Sequence, residues 1–494
     1  MNKLSAETRL LTSLLNALDN SFLAALLGVV RRMIASVKSF LRKEITPRSL
    51  ERLERRLERL ARELARRILE YTLNRVESAK RPPTVTWEDR NFYPNRRSFR
   101  SIETRVGTVR YQRWICTAEL SFFVRGIAPL DLRLGLVAER VSPGVAHRLG
   151  RLAADLPQQS ALEQLREQFN VRLSVDAYRR IVDDLSVEVG YLHDEQVVEQ
   201  LVQWIEISNQ TKGKHDVLLL VGRDGVHVPM RGCWKEAACA TLAVYDRNRK
   251  RLGTAYLGEM PQKNQERMTE RLTKVLQGVL TKAGKQTLKL RYVTDAGCLP
   301  QSYFRKVLSK MKHPLTGEVL NWSWGVDFFH ACEYLSSLSE ALFGIGTSKS
   351  QSWFREQRHT LRHDSRGIQR VIRRAAQQRR RHGLKGSKEA YRKAVGYLVR
   401  YRRFMDYAER RKSGDPIGSG ITEAGCKVIF NQRMKQSGMR WSQRGGQCIV
   451  NLRTACRSGL WDRIWRRWQD RWQDTQTDLP PINQLIPEIK RAAA

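Results

Sequence analysis

The 494-residue chain is short of acidic groups, has no paired cysteines and has little uncharged apolar sequence. Each shortage excludes a class of protein. Asp and Glu number 50 against 89 Lys and Arg, which leaves a formal net charge of +39. A soluble domain stays dispersed with a net charge of only roughly 2–8. The excess repels itself unless a polyanion neutralises it. Nucleic acid is the natural partner, with counterion release as the driving term; a ribosome-associated or membrane-surface protein is the other reading of such a charge. The eight cysteines (Cys116, Cys233, Cys239, Cys298, Cys332, Cys426, Cys448 and Cys456) include no C-x-x-C pair. That argues against a structural zinc site and for reduced thiols. No segment reads as both long enough and uncharged enough to span a membrane. The apolar run Phe22 to Val30 follows Asp19, meets Arg31 and Arg32 at once, and lacks a signal-sequence layout. It is expected to be a buried amphipathic helix in a cytoplasmic, nucleoid-associated protein without a membrane partner.

A hydrophobic share of 41% supports real cores, and the length allows about two to four domains. Residues 1–80 read as helical, with Leu50, Leu53, Leu57, Leu60, Leu64, Ile68 and Tyr71 on one face and Ser49 as a cap. That face suits either the domain's own core or a partner helix. Arg81-Pro82-Pro83 breaks the pattern. Residues 81–150 carry the β-rich run Ile102, Thr104, Val106, Val109, Tyr111 and Arg113, interrupted at Gly107. Residues 151–204 contain Ala161–Phe169, a short turn, and Ser174–Val182, a helix-turn-helix-like pattern with Ser174 as N-cap. Such a motif places its second helix in the major groove, with Arg179 and Arg180 toward phosphate; any helical hairpin looks similar.

Between 205 and 330 the character changes. Asp216–Val221 reads as a buried strand ending near Asp224. Ala238–Tyr245 and Arg251–Leu257 follow as strands, joined by the turn Asp246–Arg249. Pro261 opens a helix with Met268, Leu272, Val275, Leu276 and Val279 on one face. Thr287–Val293 is a strand delivering Asp295, and Trp322–Val326 is another beyond a helix after Pro300. Three strands, helix, strand, helix, strand fits a mixed sheet flanked by helices. Residues 331–414 are helical and arginine-rich, including Arg379, Arg380 and Arg381. A solvated face is one reading of these; phosphate contact is the other. Residues 415–458 carry Glu423 behind a Gly-Ser-Gly turn, and 459–494 form a tail with Trp461, Trp465, Trp468 and Trp472 at helical spacing.

Asp224, Asp295 and Glu423 are the candidate metal ligands. Mg²⁺ takes hard oxygen ligands and keeps several waters, so a few carboxylates and substrate phosphate suffice. Two ions roughly 3.5–4 Å apart stabilise both the attacking and the leaving oxygen at a phosphodiester. Asp before Gly is equally a turn signal. The chain resembles bacterial insertion-sequence transposases with an RNase H-like DDE core, of the ISKra-type group related to Mutator-like transposases. The resemblance rests on Asp224-Gly225, Trp234-Lys-Glu236, Thr294-Asp-Ala-Gly297, Asp327-Phe-Phe-His330, Pro416-Ile-Gly-Ser-Gly-Ile-Thr-Glu423 and Arg433-Met-Lys-Gln-Ser-Gly-Met-Arg-Trp441. It runs from about residue 100 to 465.

The resemblance implies an α/β, RNase H-like mixed five-stranded sheet with helices on both faces, interrupted by an all-helical insertion. Helical and small β regions precede it. It further implies a catalytic triad of Asp224, Asp295 and Glu423 binding two Mg²⁺ or Mn²⁺ ions. His330 would orient the scissile phosphate or else pack in the core beside a capping Asp327. Arg440 would contact phosphate, and Trp441 would stack on a base or pack in the core. The implied activity is hydrolysis at transposon ends and strand transfer of the 3′-hydroxyl into target DNA by a homodimer or larger assembly. The implied partner is double-stranded DNA, as terminal repeats and target. A nuclease of the same fold and a non-catalytic DNA-binding descendant are the alternatives.

Overall fold

A computed structural model of the chain describes residues 19–77, 80–118 and 126–474. The parts of the helical N-terminal reading on 1–18 and of the tail on 475–494 lie outside the described residues. The chain divides into two compact units, Met1–Leu185 with Trp465–Ala494, and Ser186–Ile464.

The first unit opens with helices α1 (Asn20–Leu41) and α2 (Pro47–Val76). Phe22 stacks on Tyr71 at 3.8 Å between them. Thr46, not Ser49, caps α2. Its hydroxyl accepts from the Ser49 amide at 3.2 Å, and the Ser49 hydroxyl accepts from the Thr46 amide at 2.9 Å. Pro47 at the first helical position moves the start upstream. Two expectations for α1 are corrected. The helix continues through Arg31 and Arg32 to Leu41, so by length and composition alone it is long and apolar enough to cross a membrane. Nor is it buried: Leu27, Ile34 and Leu41 are 47%, 50% and 69% exposed. Among the described residues α1 packs mainly against α2.

Strands β1 (Val85–Trp87), β2 (Arg90–Thr104) and β3 (Gly107–Ala118) form an antiparallel sheet. Ile102, Val109 and Tyr111 from it pack with Leu73 of α2 and with Leu130. Short α3 (Pro129–Arg133), α4 (Pro143–Asp155) and α5 (Gln158–Phe169) follow. After Asn170, in the left-handed region at φ 52°, comes α6. The Ser174 hydroxyl accepts from the Ala177 amide at 3.2 Å. Helix α6 runs Val175–Gln210, 36 residues, where the helix-turn-helix reading ended it at Val182. The apolar three-and-four spacing continues through Leu185, Val189 and Leu192, all buried, and no proline stops it.

The second unit carries a five-stranded sheet of β4 (Val217–Pro229), β5 (Trp234–Tyr245), β6 (Arg251–Glu259), β7 (Leu288–Thr294) and β8 (Trp322–Val326). The spatial order is β6-β5-β4-β7-β8. The first three form an antiparallel meander, while β4–β7 and β7–β8 are parallel. A 3₁₀ turn at Lys263–Gln265 precedes α7 (Glu266–Ala283), which therefore starts later than Pro261. Helix α8 (Cys298–Lys306) leads toward β8.

Side-chain alternation divides the sheet's faces. Arg223 and Tyr292 point one way. Arg223 bonds Thr269 of α7 at 2.9 Å and lies over Tyr303 of α8. Val226, Val228 and Cys239 belong to the opposite face, with Cys426, Ile429, Phe430 and Val450. These last come from α14 (Gly420–Cys426), a π turn at Lys427–Asn431, and α15 (Gln443–Arg457). Between β8 and α14 the chain is entirely helical: α9 (Phe328–Phe343), α10 (Ser348–His363), α11 (Gly367–His382), α12 (Lys388–Tyr401) and α13 (Tyr407–Lys412). The chain's last described helix, α16, is Trp461–Asp474. Within the first unit its Trp465, Trp468 and Trp472 form a ladder, and the Trp472 indole donates to the Leu132 carbonyl at 2.7 Å.

Candidate active site

The parallel pairing of β4 and β7 ends at Val221 with Tyr292. Asp224 and Asp295 each lie three residues further on, so the register carries them forward side by side. This is the point where the meander runs one way from β4 and the crossover strands run the other. Open α/β sheets bind ligands at such switch points, outside the carboxyl ends of the strands. Asp224 faces α14, with its Oδ2 against the Cys426 thiol, while Asp295 lies in the turn just after β7. Leu220 and Val293, on the same sides of their strands, pack with Ile421.

One expectation changes here. Asp224 does not end its strand. Asp224-Gly225 stays extended and pairs with Cys239 and Ala238 of β5. Only the parallel partner stops before it. An Asp-Gly pair signals a turn in an isolated segment, but the β5 ladder overrides it.

Asp224 is largely buried, and that burial, together with the charge of Asp295, raises its carboxyl to about 6. Its Oδ1 accepts from the Gly225 amide at 2.7 Å, and its Oδ2 accepts from the Cys426 thiol at 3.6 Å. Asp295 Oδ1 accepts from the Gly297 amide at 2.9 Å across a turn in which Ala296 has φ 69°. No lysine or arginine pairs with either carboxylate among the described residues. Two adjacent carboxylates without a counter-charge repel, and a bound cation relieves that repulsion.

Glu423 lies on α14, exposed and one turn before Cys426. Helix α14 seats closely on the sheet: the Thr422 and Thr241 hydroxyls bond at 2.9 Å, and Gly222 leaves the space that Thr422 fills. The structure brings Asp224 and Asp295 together. It does not gather Glu423 with them, and among the described residues no three His, Cys, Asp or Glu side chains form a metal-holding group.

The Asp327–His330 pair resolves into two roles. Asp327 is 1% exposed. Its Oδ1 accepts from the His330 amide at 2.8 Å and caps α9; its Oδ2 accepts from the Ser419 hydroxyl at 2.7 Å and from the Ser419 amide. The Asp327 amide donates to the Thr294 carbonyl at 2.8 Å. One residue, through its amide and its carboxylate, thus ties the end of β7, beside Asp295, to the start of the helix carrying Glu423. His330 is not in the core. Its Nδ1 lies 3.0 Å from Glu333, and its ring meets Tyr334 and Tyr397 edge-on.

His330 and Asp295 line a cleft of about 680 Å³ with Arg392, Lys393, Tyr397 and Arg400 of α12. The Tyr397 hydroxyl donates to the Asp295 carbonyl at 3.1 Å, and Tyr401 donates to the Ala296 carbonyl at 3.2 Å. Burial, then Tyr334 and then Asp295 push the Tyr397 phenol up, so it remains a donor. Sequence reasoning missed this helix face. Its signal is cations and tyrosines interleaved at spacings of four.

The expected DNA contacts scatter. Arg179 is exposed and bonds Gln158 at 3.3 Å, and Arg180 lines a shallow cleft with Arg100 and Arg140. Arg379 lies over Tyr391 at 5.0 Å. Arg380 and Arg381 are exposed in the last turn of α11, where cations also suit the helix dipole. Arg440 is exposed, and its guanidinium bonds the Met439 carbonyl. Trp441 packs against the sheet core, donating its indole N–H to Met434 at 2.9 Å under Arg433.

No protein-family model matches the chain, and no curated protein matches it.

Proposed function

We propose that the chain is a DNA transposase with an RNase H-like core that cleaves phosphodiesters at element ends and transfers the 3′-hydroxyl to target DNA. One observation carries the reading: two carboxylates without counter-charge lie side by side just past the parallel pairing of β4 and β7, and one of them, Asp295, opens on a cleft lined by cations. The sheet order, with a central β4 flanked by a meander and two parallel strands, supports the RNase H-like assignment. The donor set suits a hard cation such as Mg²⁺, which is commonly held by one or two carboxylates and substrate phosphate. When bound, divalent ions supply Lewis-acid stabilisation and activation of the attacking oxygen.

The protein's own groups do the rest. Asp224 and Asp295 present oxygens on rigid strands. Arg392, Lys393 and Arg400 neutralise phosphates of the substrate strand. Tyr397 and Tyr401 hold the backbone of the Asp295 turn. His330, at the cleft wall, is placed to donate to a phosphate oxygen. Asp327 and Ser419 fix the start of α14, and Glu423, exposed on the same helix, would add a third carboxylate by swinging its own side chain.

The test incubates the protein with the DNA flanking its gene and Mg²⁺ or Mn²⁺, following both end cleavage and strand transfer. Asp295→Asn should abolish both while leaving DNA binding intact. Cleavage by this variant near the wild-type rate would sink the reading. Cleavage without joining by the wild type would mark a nuclease.

A further inference from the structure

Helix α12 turns one face to the Asp295 cleft: Arg392, Lys393, Gly396, Tyr397 and Arg400. That face contains a glycine in the helix interior, which costs about 1 kcal/mol relative to alanine. Packing does not require it. A Cβ placed on Gly396 meets no atom within 4 Å, and the position is exposed. Its backbone conformation is ordinary helix. The glycine therefore leaves a notch in a cationic face. Arg392 and Lys393 flank it on one side and Arg400 on the other. Neither Arg392 nor Lys393 has an acidic partner among the described residues, and Arg400 lies only over Tyr401. The next residue, Tyr397, holds the Asp295 carbonyl.

We propose that this notch is the seat of the substrate strand: the sugar–phosphate backbone of one DNA strand crosses α12 at Gly396 and passes directly to Asp295. Arg392 and Arg400 are eight residues apart, about 12 Å along a helix. That spans roughly three nucleotides of one strand at 3.4 Å each. Two cations separated by a gap at that spacing grip phosphates about three nucleotides apart, while the missing side chain lets the backbone settle between them. The exposed charges on the α12 side of the cleft are all positive except Glu389, which favours a polyanion over a protein or peptide partner. The proposal rests on the nucleic-acid reading above and adds a site to it.

The test uses the full chain and labelled single-stranded and duplex DNA, followed by fluorescence anisotropy, with thermal midpoints measured in parallel. Gly396→Ala and Gly396→Leu both favour the helix, so both should melt at or above the wild-type temperature. Gly396→Leu should nevertheless weaken DNA binding about tenfold, and Gly396→Ala by a smaller factor. Wild-type affinity in both variants overturns the notch and leaves the Asp224–Asp295 reading standing. Failure of the wild type to bind either DNA at low salt overturns the nucleic-acid reading itself. Should a Gly396 variant fold poorly, Arg392→Gln and Arg400→Gln decide instead. Each should make the log–log salt dependence shallower by about 0.7–0.9; unchanged slopes for both overturn the proposal.

Discussion

Strand β7 has a carboxylate at each end, and the two ends are treated in opposite ways. At its start, Asp415 has a fully buried side chain and meets three cations: Lys289 and Arg291 at 2.8 Å and Arg249 at 3.1 Å. Burial alone would raise this carboxyl, but hydrogen bonds from Lys289 and Arg291 more than offset it and hold it below the usual range. At its finish, Asp295 lies beside Asp224, and among the described residues no lysine or arginine pairs with either. The first unit repeats the former pattern, where Asp131 is held by Arg100, Arg113 and Tyr111. In a chain with 89 basic residues, arginines are at hand for carboxylates such as those of Asp415 and Asp131. Asp224 and Asp295 lack such a neighbour among the described residues, which under the proposed function leaves their place open to an external cation.

The contrast can be broken from either end. The largest expected effect is on activity. Asp295→Asn should reduce divalent-metal-dependent cleavage at least about a thousandfold, roughly 4 kcal/mol of barrier, with no loss of thermal stability. Asp415→Asn should do the reverse. It strands three cations around a buried site and should cost about 3–5 kcal/mol in urea denaturation.

Asp224→Asn sharpens the comparison through pH. The folded carboxyl, raised by burial to about 6, lies above its ordinary value of 3.8. Above pH 6 the group is charged in both folded and unfolded chains, and the folded state bears the penalty. Below about pH 4 it is neutral in both, and the penalty vanishes. Without divalent metal, Asp224→Asn should therefore stabilise the protein at pH 7–8 by at most about 3 kcal/mol. The gain should fade as pH drops from 6 to 4, as read by denaturation midpoints. A gain independent of pH would mean that packing, not charge, was relieved. The smallest effect concerns the distal cations. Charge reversal at Arg379, Arg380 and Arg381 should weaken DNA binding and flatten its salt dependence, whereas an unchanged slope would remove that helix end from the interface.

Much of the second unit was legible because its elements announce themselves locally. Trp322–Val326 is a strand at the residues read. The Asp246–Arg249 turn is there, with Asp246 Oδ1 accepting from the Asn248 and Lys250 amides at 2.8 Å. The five apolar residues of α7 are all buried. Less legible was whatever depends on a partner distant in sequence. Asp224 stays in a strand because β5 pairs with it. Helix α6 runs on because its apolar spacing has no stop. Thr46 displaces Ser49 as cap because Pro47 fixes the helix start. Within the site, Asp224 and Asp295 could be named from strand-end patterns. The Cys426 contact, the Tyr397 and Tyr401 clamps and the notch at Gly396 come from segments 100 or more residues away from their partners, and no local pattern encodes such a meeting.

The π turn after α14 carries a last consequence. An α-helix advances about 100° per residue, and a π turn inserts one residue into that count. Residues before and after Lys427–Asn431 are therefore out of phase with a continuous helix by about that angle. Ile429, Phe430 and Met434 are turned into the sheet's core, while Glu423 remains exposed. The segment behaves as a phase adjuster. Removing one residue there would let the helix close regularly, but its apolar grip and its carboxylate could no longer both keep their bearings. The π turn thus lets Thr422 and Cys426 hold the bearing of Glu423 while Ile429, Phe430 and Met434 keep theirs.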